Sequence, residues 1–405
     1  MKALKKLLAF LLSAVTLLLG GCNAKDGVID SLHKISISNI LETDLPCVNA
    51  EELYERKKIA APPELLAKYG LPSCFDGNNI YFLRNNIPPS VGNNARSPSG
   101  TAPRTALIAY YDISKEELVT LFEEESNKYI FYNLAGVYDS CIYYFRGESR
   151  RSDEVVTTKL YRLSFFSKQP EMIIEFEFPH DSCNTGFNSF CAYDRYIFFS
   201  DTHRDGNRRE HLIYRYNTQS GQIEEFIKGA KDPVPFKDGI AYFKETEEGL
   251  EVHYLDLQSN EDKLLGGFES VLNNTGYSGG EDIFLETVHF NENDDPVSEL
   301  GYVDPDGSGK IITVAELPEN GVITNMTGNR MLLMEIYGEQ LIFDSEHRCF
   351  AKLNINREYS AGYVSDSSAL FFCYDSMLQN PVIYIYTPRD NGREVTITSE
   401  KENIK

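Results

Sequence analysis

Six arginines carry the strongest hint of binding chemistry in this chain. Arg146, Arg150 and Arg151 share one polar stretch, with Lys159 close behind. Arg204, Arg208 and Arg209 share another, between His203 and His211. A guanidinium is a planar fork of N–H donors that matches a carboxylate or phosphate. Such cations stand out in a chain of formal charge −22. The pattern predicts an anion-binding or partner-docking patch. The plainer account is a pair of solvated loops whose arginines neutralise nearby Asp and Glu.

Other motifs do not support catalysis. Gly276-Tyr277-Ser278-Gly279-Gly280 fits G-x-S-x-G, but that nucleophile elbow needs a strand-to-helix turn. Here Glu281–Phe290 reads as a strand, so the glycines predict a turn between strands. Asp304-Pro305-Asp306-Gly307-Ser308-Gly309 resembles part of a calcium loop, yet it lies between strands rather than helices and reads as a tight turn,. Glu292-Asn293-Asp294-Asp295 reads as a solvated loop. The seven histidines lack metal-site spacing, and there is no C-x-x-C,. No catalytic residue, metal or cofactor is assigned. After Cys22, seven cysteines follow, an odd number. Cys141, Cys191 and Cys373 sit in apolar runs and read as buried small hydrophobes, with a Cys183–Cys191 bridge left open.

The acidic balance excludes nucleic acid and broad docking on anionic lipid. Tyr (25) and Phe (24) are abundant while Trp is absent, which points to strands and weakens carbohydrate sites built on indole stacking,.

The first 22 residues set the compartment. Lys2, Lys5 and Lys6 form a basic head, and Leu7–Leu19 is an apolar run too short to span a bilayer comfortably,. Leu19-Gly20-Gly21-Cys22 resembles the lipobox of bacterial lipoproteins. The resemblance implies cleavage before Cys22, a lipid on its thiol, and a mature protein tethered outside the cytoplasmic membrane. Asn23 after the cysteine implies the outer membrane in a Gram-negative cell and the outer face of the single membrane in a Gram-positive one.

What must position the arginines is a repeat. From residue 71 an apolar-aromatic strand recurs roughly every 50 residues: Asn79–Phe82, Cys141–Phe145, Tyr196–Phe199, Gly239–Phe243, Asp282–Leu285, Arg330–Met334 and Ala369–Phe372. A second strand follows each time, as in Leu107–Asp112, Leu160–Leu163, Leu212–Tyr216 and Val252–Asp256, then a polar turn and a third strand such as Ile223–Ile227. Weaker runs before each anchor, such as Phe187–Asp194 and Gly362–Ser367, supply a fourth, innermost strand. The first of these strands is apolar at consecutive positions, as needed if both faces are covered by neighbouring sheets. Radial packing of four-stranded sheets satisfies this. The pattern predicts an all-β, seven-bladed β-propeller, with six or eight blades as variants. It resembles the TolB-like and low-density-lipoprotein-receptor-type (YWTD) propellers.

The chain therefore divides into a signal (1–21), a tether and short helical segment (22–70) and a propeller (71–405). Asn49 and Glu52 predict a helix over Ala50–Lys58, and Pro62-Pro63 opens a second through Lys68, closed by Gly70,. Ring closure stays open between an outer strand at Arg393–Thr398 and a spare strand at Lys34–Ser38. In functional terms the sequence predicts a lipid-anchored binding protein that engages a protein, peptide or envelope polymer. The alternatives are a propeller-pocket enzyme such as a glycan lyase or hydrolase, and a structural subunit of an envelope assembly.

Overall fold

The computed structural model describes residues 41–389 apart from 63, 87–103, 150–155, 179–189, 206–207, 248, 270–275, 279–281, 291–295, 305–308, 319–320, 326–329, 356–358 and 375–380. Seven antiparallel sheets follow one another along the chain and form a seven-bladed β-propeller. Blade 2 is typical: Tyr129–Tyr138, Cys141–Ser149, Val156–Ser164 and Pro170–Phe178 pair in sequence order. First strands of adjacent blades lie against one another, as Phe190–Tyr193 does beside Ala230–Phe236. They are the innermost strands, as the weak runs before each anchor predict.

Side-chain alternation explains why the ring holds. The second strand of blade 2 sends Ile142 and Tyr144 into a cluster shared with blade 1, and Tyr143 and Phe145 into one shared with blade 3. Successive side chains of a strand point to opposite faces, so consecutive apolar residues are required wherever both faces are covered. Seven such clusters fill the seven interfaces between neighbouring blades. At roughly 25 cal/mol per Å² of apolar surface, each buried aromatic contributes a few kcal/mol. This is the stacking that offsets the edges of small four-stranded sheets.

The outer turns repeat as well. In blades 1, 3, 4 and 6 the third strand ends on an Asp or Asn whose Oδ1 accepts two backbone N–H groups of the next turn. In blade 1, Asp112 accepts from Ser114 and Lys115 (2.9 and 3.0 Å). In blade 3, Asn217 accepts from Gln219 and Ser220; in blade 4, Asp256 accepts from Gln258 and Ser259. In blade 6, Asp344 accepts from Glu346 and His347. These Asx turns suit short polar side chains that bond their own backbone two residues on.

Closure differs from the sequence expectation. The helix predicted over Ala50–Lys58 stops after one turn, Ala50–Leu53, although Glu52 Oε1 does accept from the backbone and amide nitrogens of Asn49. Tyr54–Ala60 is instead a strand, antiparallel to Val382–Pro388, and forms the outermost strand of blade 7. Cys47–Asn49 adds a fifth, parallel strand to blade 6. The ring thus draws on residues before 71. The candidate strands Lys34–Ser38 and Arg393–Thr398 lie outside the described residues. The second helix forms at Glu64–Tyr69 and ends at Gly70, whose φ of 82° suits a residue without Cβ,.

The closing strand is pinned by a buried network. Tyr54 donates its hydroxyl to Asp344 Oδ2 (2.6 Å), and Arg330 donates from Nε and Nη2 to the same oxygen (3.2 and 2.8 Å). His347 Nδ1 lies 3.2 Å from Oδ1. The Asp344 side chain is fully buried. Burial pushes its pKa up, but His347 and Arg330 outweigh this and hold it at about 2, against 3.8 for a free aspartate,.

No disulfide joins the described cysteines, Cys47, Cys74, Cys141, Cys191, Cys349 and Cys373. Cys191 is buried; Cys183, the other half of the bridge left open, lies outside the described residues. Cys47 and Cys349 sit in neighbouring strands, but their thiols enter different interfaces, those with blades 5 and 7 respectively.

Candidate binding sector on blades 2 and 3

Of these arginines, Arg146, Arg204, Arg208 and Arg209 lie on the strands of long hairpins rather than in loops. Second and third strands have 10 and 10 residues in blade 3 and 9 and 9 in blade 2, but only 6 and 6 in blade 6. Register aligns them at the Asx-turn end: Tyr196 faces Asn217 in blade 3, and Met331 faces Asp344 in blade 6. The extra length therefore projects from the opposite face. Four more residues per arm extend blade 3 by about 13 Å beyond blade 6.

On that blade 3 extension Arg204 faces Arg209 and Asp205 faces Arg208 across the ladder. Three arginines are thus brought within two rungs. Arg150 and Arg151 of blade 2 lie outside the described residues.

Arg146 has a different place. It is on the second strand of blade 2, and its Nε and Nη2 donate to both carboxylate oxygens of Glu124 in blade 1 (2.8 and 2.9 Å). Nη2 also reaches Glu148 at 3.2 Å. Burial alone would lower the guanidinium pKa, but the Glu124 pair raises it instead. Arg146 clamps blade 1 to blade 2. Likewise Lys159 pairs with Glu175 at 3.1 Å. His211 lies 3.4 Å from Glu245, which also pairs with Lys231. The His211 hydrogen bond, against opposing burial and with help from Lys231, holds Glu245 at about 2.

Of the long blade 1 connection, Asn85 and Asn86 are described, and they join blades. Asn86 Oδ1 accepts from the Ile130 N–H (2.7 Å), its amide donates to Lys128 O (2.8 Å), and Asn85 Oδ1 accepts from the Tyr132 N–H (2.6 Å).

A groove of about 340 Å³ opens at the other end of the same sector, between the outer parts of blades 2 and 3. It is lined by Arg162, Glu171, Met172, Ile173, Tyr216 and the turn at 218–221. Arg162 lies opposite Tyr143 on one side and Glu171 on the other. It pairs with Glu171 and donates Nη1 to the Thr218 carbonyl of blade 3 at 3.2 Å. Met172 and Phe166 are exposed nearby in sequence, at 53% and 86%. The sequence reading missed this groove. Its signal is the repeated L-Y-R-L and I-Y-R-Y pattern, which places Arg162 and Arg215 at equivalent rungs.

The fold and sector define a seven-bladed β-propeller with a built-up quadrant at blades 2 and 3. No family model matches the chain, and no curated protein matches it. Among solved structures, it is similar to the β-propeller domain of the Trilobed protease from Pyrococcus furiosus. The TM-score is 0.50 at 9% identity, over 86% of this chain and 97% of that one. It is also similar to TolB from Acinetobacter baumannii (TM-score 0.39, 14% identity, 80% of this chain and 67% of that one). A third is an oligogalacturonate lyase in complex with manganese (0.37, 11%, 72% and 75%). At 9% identity the likeness to the Pyrococcus domain bears on the fold alone. The Pyrococcus domain is described as having an open velcro topology; here strand Tyr54–Ala60 completes blade 7.

Proposed function

We propose that this chain is a lipid-anchored extracytoplasmic binding protein, tethered through Cys22, that engages a protein, peptide or envelope polymer with the blade 2 and 3 sector of its propeller. The observation that carries the reading is the blade 3 overhang, whose ladder places Arg204, Arg208 and Arg209 on two adjacent rungs in a chain of formal charge −22. Guanidinium groups clustered on a projecting hairpin suit carboxylate or phosphate groups of a partner. The lipobox-like Leu19-Gly20-Gly21-Cys22 supplies the anchor.

The test is cross-linked capture from native envelopes. Wild type is compared with an Arg204→Glu, Arg208→Glu, Arg209→Glu triple variant, and partners are identified by mass spectrometry. The reading expects a partner retained by wild type and lost from the triple variant, whose thermal unfolding is unchanged. An unaltered partner set in the variant refutes it. Radiolabelled palmitate should appear on wild type and not on Cys22→Ser; its failure to appear refutes the anchor separately.

A further inference from the structure

The ring contains its own control for the groove between blades 2 and 3. Arg162 and Arg215 occupy the same rung of consecutive blades. Arg162 lies opposite Tyr143 and Glu171; Arg215 lies opposite Phe198 and Glu224. Each pairs with its glutamate. They differ in what covers the guanidinium. Arg215 lies under two rings of its own chain, with the Phe226 centroid at 4.1 Å and the Tyr196 centroid at 5.0 Å. Register gives the blade 2 counterparts. Tyr196 faces Asn217 as Cys141 faces Ser164, so Cys141 takes the place of Tyr196. Phe226 is the bulged residue between the partners of Ile213 and Tyr214, and Ile173 is the bulged residue between the partners of Leu160 and Tyr161. Ile173 thus takes the place of Phe226.

Two rings are therefore replaced by a thiol and a branched aliphatic group, and the groove lies where this happens. Among the described residues no ring covers Arg162. The surroundings suit an incoming ring. Met172 offers a polarizable thioether, Ile173 and the buried Tyr216 offer apolar wall, and the turn at 218–221 offers polar groups at the rim,. The volume is at the lower end of the range for ligand pockets. Arg162 and Glu171 balance one another, so no net charge calls for an ionic ligand.

We infer that the groove receives an aromatic side chain, Phe or Tyr, from a polypeptide partner, which stacks on the Arg162 guanidinium as Phe226 does on Arg215. This deepens the proposed binding role by naming the recognition chemistry. It uses the opposite face of the sector from the arginine hairpin, so the two readings fail separately.

The experiment is saturation-transfer NMR and titration of the full mature chain with acetyl-Ala-Phe-Ala-amide, against acetyl-Ala-Leu-Ala-amide and cellobiose. The Phe peptide should bind best, with its ring protons receiving the most saturation. Ile173→Phe rebuilds the blade 3 cover from within and should abolish binding. Arg162→Lys keeps the charge but loses the planar face and should weaken binding roughly three- to five-fold. Equal binding of the Phe and Leu peptides overturns the inference. So does no binding of the Phe peptide, unchanged binding in both variants, or a preference for cellobiose. The triple arginine variant of the hairpin should bind the Phe peptide as wild type does.

Discussion

Replacing Asp344 by Asn tests whether the buried network closes the ring. The carboxylate accepts from Arg330, Tyr54 and two backbone N–H groups, with His347 beside it. Its removal leaves Arg330 largely buried, with Glu346 (2.5 Å) as its remaining anion. Breaking a buried pair costs about 3–5 kcal/mol; because Glu346 stays, the lower end applies. At about 2 °C per kcal/mol for a chain this long, Tm at pH 7 should fall by roughly 6 °C. The pH dependence carries a sign. The folded pKa of Asp344, about 2, lies below the unfolded 3.8. Its stabilisation is therefore complete above about pH 4 and is lost as pH falls from about 4 to about 2. That shift corresponds to about 2 kcal/mol, so the gap between wild type and Asp344→Asn should narrow by roughly 4 °C between pH 5 and pH 2. Circular dichroism melts of both proteins across that range measure it. A gap below 1 °C at pH 7, or one that stays constant or widens on acidification, refutes the reasoning.

Three further outcomes follow from the packing. Asn86→Ala removes its bonds to the Lys128 carbonyl and the Ile130 N–H at the start of blade 2 and should cost about 1–3 kcal/mol,; hydrogen exchange at the Ile130 amide should accelerate while that of Phe243 in blade 4 does not. Gly239→Ala would drive a Cβ onto the Leu255 carbonyl oxygen and should prevent native folding, whereas Gly229→Ala, at φ 71° in open space, should cost only about 1–2 kcal/mol,; soluble yield and melting temperature separate the two. Arg146→Met should destabilise by about 2 kcal/mol, since Glu124 loses its bidentate partner,, yet leave capture of the envelope partner intact.

The blades were legible because their signal is local. Runs such as Ile142-Tyr143-Tyr144-Phe145 must be apolar throughout to serve two interfaces, and nothing else in the chain has that pattern at that spacing. The closing strand was hidden for the opposite reason. Tyr54-Glu55-Arg56-Lys57-Lys58-Ile59-Ala60 lies on the outer rim, where Glu55 to Lys58 are exposed. It has good helix formers and little alternation, and a true helical turn precedes it, so local propensity favoured a helix. Pairing with Val382–Pro388 and the Tyr54–Asp344 bond override that propensity. The arginine hairpin was found but placed in loops, because polar strands beyond the core carry no apolar period. Arg146 was grouped with it because sequence does not reveal Glu124 on the next blade. The groove was invisible for a subtler reason: it arises from two substitutions within a repeat, Cys141 for Tyr196 and Ile173 for Phe226, which only register exposes.

Blade 7 also dictates the order of assembly. Its outermost member is synthesised before every other strand of the circle except Cys47–Asn49, and its neighbour, Val382–Pro388, after all the other described strands. A chain threaded outward from its N-terminus must hold Tyr54–Ala60 idle while all the intervening sheets emerge. Such a long-range latch folds slowly and leaves a half-built blade open to stray pairing until Val382–Pro388 arrives,.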